Sequence, residues 1–307
     1  MRSACAWVAG RARSVRIEAA AIPAYAAALE EAAQPRPGAA AGPGPATDVG
    51  ATDRETRAAF AICLNAVNFG SGWWPTIRKR PGHSGFFTVA AGVAERFREK
   101  GAWAPAELAA ITPAAIAATL GQDPEHPLMR QFAASLRDVG ERVGAEYGGS
   151  FAAVVDAAAG SAPALAELLA GWAAFADAST YEGREVPLFK RAQLAAADLD
   201  RAGVAALADL DRLTAFADNL VPHVLRLDGV LYLDPALLER IEAGELLVHD
   251  SPEEVELRAC AVHAVELIAS ATGRRLAPAT LDSLLWNRGR GTRYKALPRP
   301  RCRTTAY

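Results

Sequence analysis

The segment Leu213–His223 reads LTAFADNLVPH and sets one carboxylate, Asp218, among apolar neighbours just ahead of a helix-breaking proline. A carboxylate in such surroundings is either a helix cap or a catalytic group of altered acidity. Upstream, Tyr181–Leu194 reads YEGREVPLFKRAQL, a turn leading to Lys190 and Arg191 at a helix start. Backbone N–H groups at a helix start favour an anion, and two adjacent cations reinforce that; a surface pair facing water is the alternative. Further upstream, Asn65–Pro75 reads NAVNFGSGWWP. Gly70 and Gly72 permit close backbone approach and the indoles offer flat apolar faces, so the loop suits stacking on a planar heterocycle. Alternatively, it is a helix C-terminus whose aromatics plug the core. It is not a dinucleotide fingerprint, since a third glycine and a preceding strand are missing.

Charge is uneven at the end of the chain. After Asp282 no acidic residue follows, while Arg288, Arg290, Arg293, Lys295, Arg299, Arg301 and Arg303 crowd together. This is either a solvated basic tail or an anion site for a phosphate, because arginine presents a rigid donor fork. The histidines (His83, His126, His223, His249, His263) show no HExxH or other ligand spacing, so a zinc hydrolase is not expected. No Walker A or GxSxG motif occurs, and neither metal nor cofactor is expected. Cys5, Cys63, Cys260 and Cys302 form no CxxC pair, which suits a reducing cytoplasm. A net charge of -2 argues against a protein that coats nucleic acid.

These residues must be positioned mainly by helices. Thr112 caps, Pro113 opens and Gly121 closes one helix; Ser251-Pro252-Glu253-Glu254 is a capping box ahead of an apolar face of Val255, Ala259, Val262, Val265 and Ile268, with Gly273 as its end. Helical periodicity also marks Ile22–Ala33, Glu55–Val67, Thr88–Lys100, Pro127–Tyr147, Pro163–Phe175, Leu194–Phe216 and Pro235–Glu242. Strand signals are confined to Ser14–Ile17 and Gly229–Leu233, without repeated partners. The fold class is therefore all-α, with room for a small β-hairpin. At 51% hydrophobic and 22% charged residues, the 307-residue chain reads as one globular domain over residues 1–307. An N-terminal arm packs back on it, and the Pro/Gly-dense Gln34–Gly50 forms a flexible loop. No stretch approaches the ~18 apolar residues of a membrane span, and Arg11 and Arg13 cut short any signal peptide.

Taken together, these segments resemble the queuosine salvage protein family, the queuosine 5'-phosphate N-glycosylases. The resemblance runs from Ser3–Ala9 and Ser14–Ile17 through Leu64–Pro75, Gly82–Phe86 and Trp103–Pro124, with its Leu120–Pro124. It continues through Val186–Gln193, Leu213–Pro222, Leu284–Trp286, and Arg303-Thr304 with Tyr307. It implies a helical fold related to helix–hairpin–helix DNA glycosylases and hydrolysis of queuosine 5'-phosphate to queuine and ribose 5-phosphate. Asp218 matches the family's Phe-Ala-Asp aspartate and would stabilise an oxocarbenium-like sugar or direct the attacking water. Lys190, of the Lys-Arg-Ala-Gln motif, would meet the ribose or its phosphate, beside Arg191. Phe69, Ser71 and Trp73 would line the base pocket, with Asn68, Gly72, Trp286, Arg303 and Tyr307 also at the substrate. A 7-deaza base has carbon where guanine has N7, so the protein must hydrogen-bond other base atoms as charge grows; His223 is a candidate. The chain departs from the family pattern at Asn219, His223 and Cys302. The partners implied are a small-molecule nucleotide and its queuine product, with no membrane and no stable nucleic-acid complex. A nucleic-acid-binding glycosylase-like module and a non-catalytic queuine carrier are the alternatives.

Overall fold

A computed structural model describes residues 1–34, 49–51 and 53–307; most of the expected Gln34–Gly50 loop therefore lies outside the described residues. In chain order, α1 (Arg2–Ala9), β1 (Val15–Ile17) and α2 (Ile22–Ala33) come first. Then follow α3 (Arg54–Ala66), α4 (Gly85–Lys100), α5 (Pro105–Ala109), α6 (Pro113–Leu120), α7 (Pro127–Glu146), α8 (Phe151–Asp156) and α9 (Ala162–Ala170). The hairpin β2 (Ala178–Tyr181) and β3 (Arg184–Pro187) leads into α10 (Lys190–Arg201). The C-terminal part holds α11 (Leu220–Leu227), β4 (Leu231–Leu233), α12 (Pro235–Glu242), β5 (Leu246–Leu247) and α13 (Pro252–Ala271). It ends in α14 (Pro278–Arg288), α15 (Thr292–Lys295) and β6 (Arg301–Cys302). No helix among the described residues is long and apolar enough to cross a membrane.

Local chemistry sets most helix ends. Thr112 Oγ1 accepts the Ala115 N–H, Pro113 takes the first helical position, and Gly121 closes α6 at φ 64°. Ser251 caps α13 in the same way, but the Glu254 carboxylate accepts the Asp250 N–H, so the box expected there is half formed. The expected Leu194–Phe216 helix is wrong in extent. The helix starts earlier, at Lys190, and stops at Arg201, because Gly203 adopts φ 64° and Leu207 N–H turns back to Asp200. The two isolated strand signals find each other: Val15–Ile17 pairs antiparallel with Leu231–Leu233. The β2–β3 hairpin turns through Glu182 and Gly183, both at positive φ, which matches the twist of its strands.

Two apolar cores result. One gathers α3, α4, α6, α7, α9 and α10; the other gathers α2, α11, α12, α13 and α14 with β1 and β4. A smaller cluster of α1, the hairpin and one face of α13 lies with Ala217. The apolar face expected on α13 is an understatement: the helix is buried nearly all round, and Glu254, Glu256 and Arg258 go in with it. Arg2 ties the N-terminal arm down to Glu266 at 2.8 Å.

Candidate active site

The start of α10 is held by a buried ion pair. Arg258 Nη2 donates to both oxygens of Asp177 at 2.8 and 2.7 Å, and Asp177 Oδ2 accepts the Lys190 N–H at 2.8 Å. The Asp177 carbonyl takes the N–H groups of Leu188 and Phe189, which hold Phe189 at φ 48°, a conformation costly for a side chain of its size. The anion expected at this helix start is therefore the protein's own carboxylate. The helix terminus is thereby satisfied within the protein.

The backbone ahead of Asp218 is clamped from separate elements. Gln193 Oε1 accepts the Thr214 N–H at 2.8 Å, Asp282 Oδ1 accepts the Phe216 N–H at 2.9 Å, and Arg258 Nε donates to the Ala217 carbonyl at 2.9 Å. Asp218 itself is half-buried. Its Oδ1 accepts the N–H groups of Leu220 (2.8 Å) and Val221 (3.0 Å), which opens α11. These bonds take one carboxylate oxygen and hold the other in place. Beside it lies a cavity of about 10 Å³, walled in part by Glu254, Arg258, Pro300 and Tyr307, the room of a single water.

Lys190 is buried, and its Nζ donates to the Asn68 carbonyl at 3.1 Å. Burial pulls its ammonium down to about 8, against the opposing pull of Asp218 and Asp282. Asp282, on α14, is raised well above the ordinary carboxylate range by burial and then by the neighbouring Asp218. The Lys190 ammonium thus feels the charge of two carboxyl groups, one of them pushed toward its neutral form.

The loop expected to cradle a base is packed tightly. Phe69 is buried edge-on to Phe132 at 5.0 Å, with the Arg191 guanidinium 4.9 Å from its centre. Trp73 is buried, and Ser71 carries a buried hydroxyl without a hydrogen-bond partner among the described residues. Arg191 does not reach an open surface; its Nη1 and Nε donate to the carbonyls of Ala66 and Ala306. Nor does His223, whose Nε2 donates to the Tyr294 carbonyl at 2.8 Å and whose burial lowers it to about 4. For these residues, core packing and backbone satisfaction win over exposure. Asn68 contributes its carbonyl to Lys190. Trp286 is half-buried, one turn beyond Asp282, with Phe86 and Phe87 against its ring at 6.2 and 5.8 Å.

The last residues are part of this assembly. Tyr307 lies with its ring centre 4.3 Å from the Arg258 guanidinium, and its carbonyl accepts the Gly70 N–H at 3.2 Å. A Cβ on Gly72 would stand 2.6 Å from the Cys302 carbonyl oxygen, so glycine is what lets the tail lie on this loop. Arg303 is exposed. Asp177, Arg258 and Asp282 were not among the residues anticipated. One signal was available: Arg258 interrupts the apolar run Leu257–Val262, and a charge inside such a run asks for a buried partner.

The family model of the queuosine salvage protein matches residues 49–307, and the chain belongs to that family. It is similar to a queuosine 5'-phosphate N-glycosylase/hydrolase of Sphaerobacter thermophilus, 35% identical over 267 residues, which covers 83% of this chain and 82% of that one. Proteins of the same name from Mus musculus (33% over 147 residues; 46% and 44% of the two chains) and Schizosaccharomyces pombe (32% over 167; 52% and 48%) match shorter stretches.

Proposed function

We propose that this chain hydrolyses the N-glycosidic bond of queuosine 5'-phosphate, releasing queuine and ribose 5-phosphate for salvage of the base. The observation that carries the chemical reading is Asp218: a half-buried carboxylate with one oxygen held by two backbone N–H groups and the other without a hydrogen bond among the described residues. A carboxylate so fixed is suited to a sugar that gains positive charge as its base departs, since it needs no reorganisation at that moment. The neighbouring space, sized for one water, suits an attacking nucleophile that the same group orients. Lys190 balances Asp218 against Asp282, so that two carboxyl groups can share the interior. The half-open ring of Trp286, backed by Phe86 and Phe87, is assigned to the flat base in place of the buried Phe69 and Trp73. A relationship of the fold to helix–hairpin–helix glycosylases, and a place in the cytoplasm, belong to the same proposal.

The test is chromatography of queuosine 5'-phosphate after incubation with the purified protein. Equal amounts of free base and ribose 5-phosphate are expected, with or without chelator. Recovery of intact nucleotide bound to protein would instead favour a queuine or nucleotide carrier.

A further inference from the structure

Asn65 opens the Asn65–Pro75 loop from the end of α3 and is fully buried. A buried amide has to spend its donors and its acceptor. Asn65 Nδ2 donates to the Ala61 carbonyl at 3.0 Å and to Asp198 Oδ2 at 2.9 Å, while its Oδ1 accepts from Asn68 Nδ2 at 3.4 Å. The first bond is the ordinary return of a short polar side chain to its own helix. The other two reach out of the helix in opposite directions.

On one side stands Asp198, on α10, the helix that begins with Lys190. Burial raises its carboxyl, and Arg201, Asn65 and Lys190 act the other way. The exposed Arg201 donates to Asp198 Oδ1, which ties this end of the chain of contacts to the surface. On the other side stands Asn68. Its carbonyl accepts from Lys190 Nζ at 3.1 Å, the hydrogen bond that the ammonium makes among the described residues. Asn65 holds Asn68 twice, by the side-chain contact and by its own carbonyl, which accepts the Asn68 N–H at 3.2 Å. Burial disfavours the charge of Lys190, Asp218, Asp282 and Asp177 favour it, and Arg191 opposes it. With several charges pulling on one ammonium, the fixed carbonyl of Asn68 decides where it comes to rest.

We propose that Asn65 is a positioning residue for Lys190: anchored on Asp198 and acting through Asn68, it fixes the place of the ammonium relative to Asp218. This rests on the reading in which Lys190 serves Asp218 in a nucleotide N-glycosylase.

The experiment reads the ammonium itself. The chain has four lysines, of which Lys79, Lys100 and Lys295 are exposed. The 13Cε resonance of Lys190 is therefore assignable by its loss in Lys190→Met and can be followed with pH. Wild type is compared with Asn65→Ala and with Asn68→Ala, which keeps the carbonyl and the bond from Asn65 to Asp198 but cuts the contact between the two amides. The pH profile of kcat for queuosine 5'-phosphate is measured on the same proteins. Both variants should lower the Lys190 midpoint by about 0.5–1 pH unit, the size of a loosened hydrogen bond to a charged group. The alkaline fall of kcat should move down with it. A purely structural Asn65 would lower the urea midpoint and leave both titrations in place, and that result would overturn the proposal. If Asn65→Ala does not fold, Asn68→Ala decides: a Lys190 midpoint equal to wild type contradicts the assignment. A lowered midpoint without a matching move in kcat, or in a protein that cleaves no queuosine 5'-phosphate, would uphold the placement of the ammonium by Asn65 and reject the glycosylase role given to Lys190.

Discussion

Arg258 and Arg299 both lie within electrostatic range of the segment that carries Asp218, yet they are built into the protein in opposite ways. Arg258 is fully buried and mostly committed: Nη2 clasps Asp177, Nε holds the Ala217 carbonyl, Tyr307 covers its face, and Nη1 lies 3.7 Å from Glu254 without a hydrogen bond among the described residues. Arg299 sits beside a second arginine with no hydrogen bond of its own among the described residues. The first arrangement makes a cation part of the scaffold. The second leaves a cation available, at a standing cost that an arriving anion would remove. The number of committed donors therefore separates these two arginines more cleanly than residue type does.

That contrast can be broken most forcefully at the committed end. Asp177→Ala leaves Arg258 charged and buried without its partner, which should cost about 3–5 kcal/mol; urea unfolding measures it. Arg299→Gln removes a charge held at a standing cost, so its unfolding midpoint should lie at or above wild type, and a loss comparable to that of Asp177→Ala would erase the distinction. Lys190→Met removes the cation between Asp218 and Asp282 and should lower turnover about 100-fold, read in the hydrolysis assay. For wild type, turnover should fall as pH rises through about 8, where the buried ammonium loses its proton. Stability should move oppositely. Because the unfolded chain holds this proton up to its ordinary value of 10.5, the cost of burying Lys190 eases between about 8 and 10.5.

Gly72→Ala probes the tail from beneath. Its Cβ meets the Cys302 and Arg303 backbone at 2.6–2.8 Å, so the tail must shift. A loss of about 1–3 kcal/mol is expected, read by urea unfolding. The smallest effect is at His223. Held near 4 against an ordinary 6.5, it contributes stability that is complete above 6.5 and lost as pH falls toward about 4. His223→Gln keeps a donor for the Tyr294 carbonyl and removes the titration, so its unfolding midpoint should vary less with pH across that window while turnover stays.

What the sequence made legible follows from distance along the chain. Thr112, Pro113 and Gly121 write the limits of α6 within a few residues, so its start and stop could be read directly. Asp218 was legible as a motif and as a cap, because both signals are local. The union of Asp177 with Arg258 was not, since it joins residues from a hairpin approach and a distant helix. Nor was the exchange of roles in which buried Phe69 supports Arg191 while half-open Trp286 stands near Asp282. The basic tail was visible as composition; which of its arginines stay uncommitted is settled only by where the backbone anchors fall.

The central claim concerns the Asp218 carboxylate, and Asp218→Asn tests it most directly, because the amide oxygen can still accept the Leu220 and Val221 N–H groups. Single-turnover hydrolysis of queuosine 5'-phosphate should slow by about 100–1,000-fold, while the nucleotide still binds with near wild-type affinity. Cleavage at the wild-type rate in a folded Asp218→Asn protein would contradict the account.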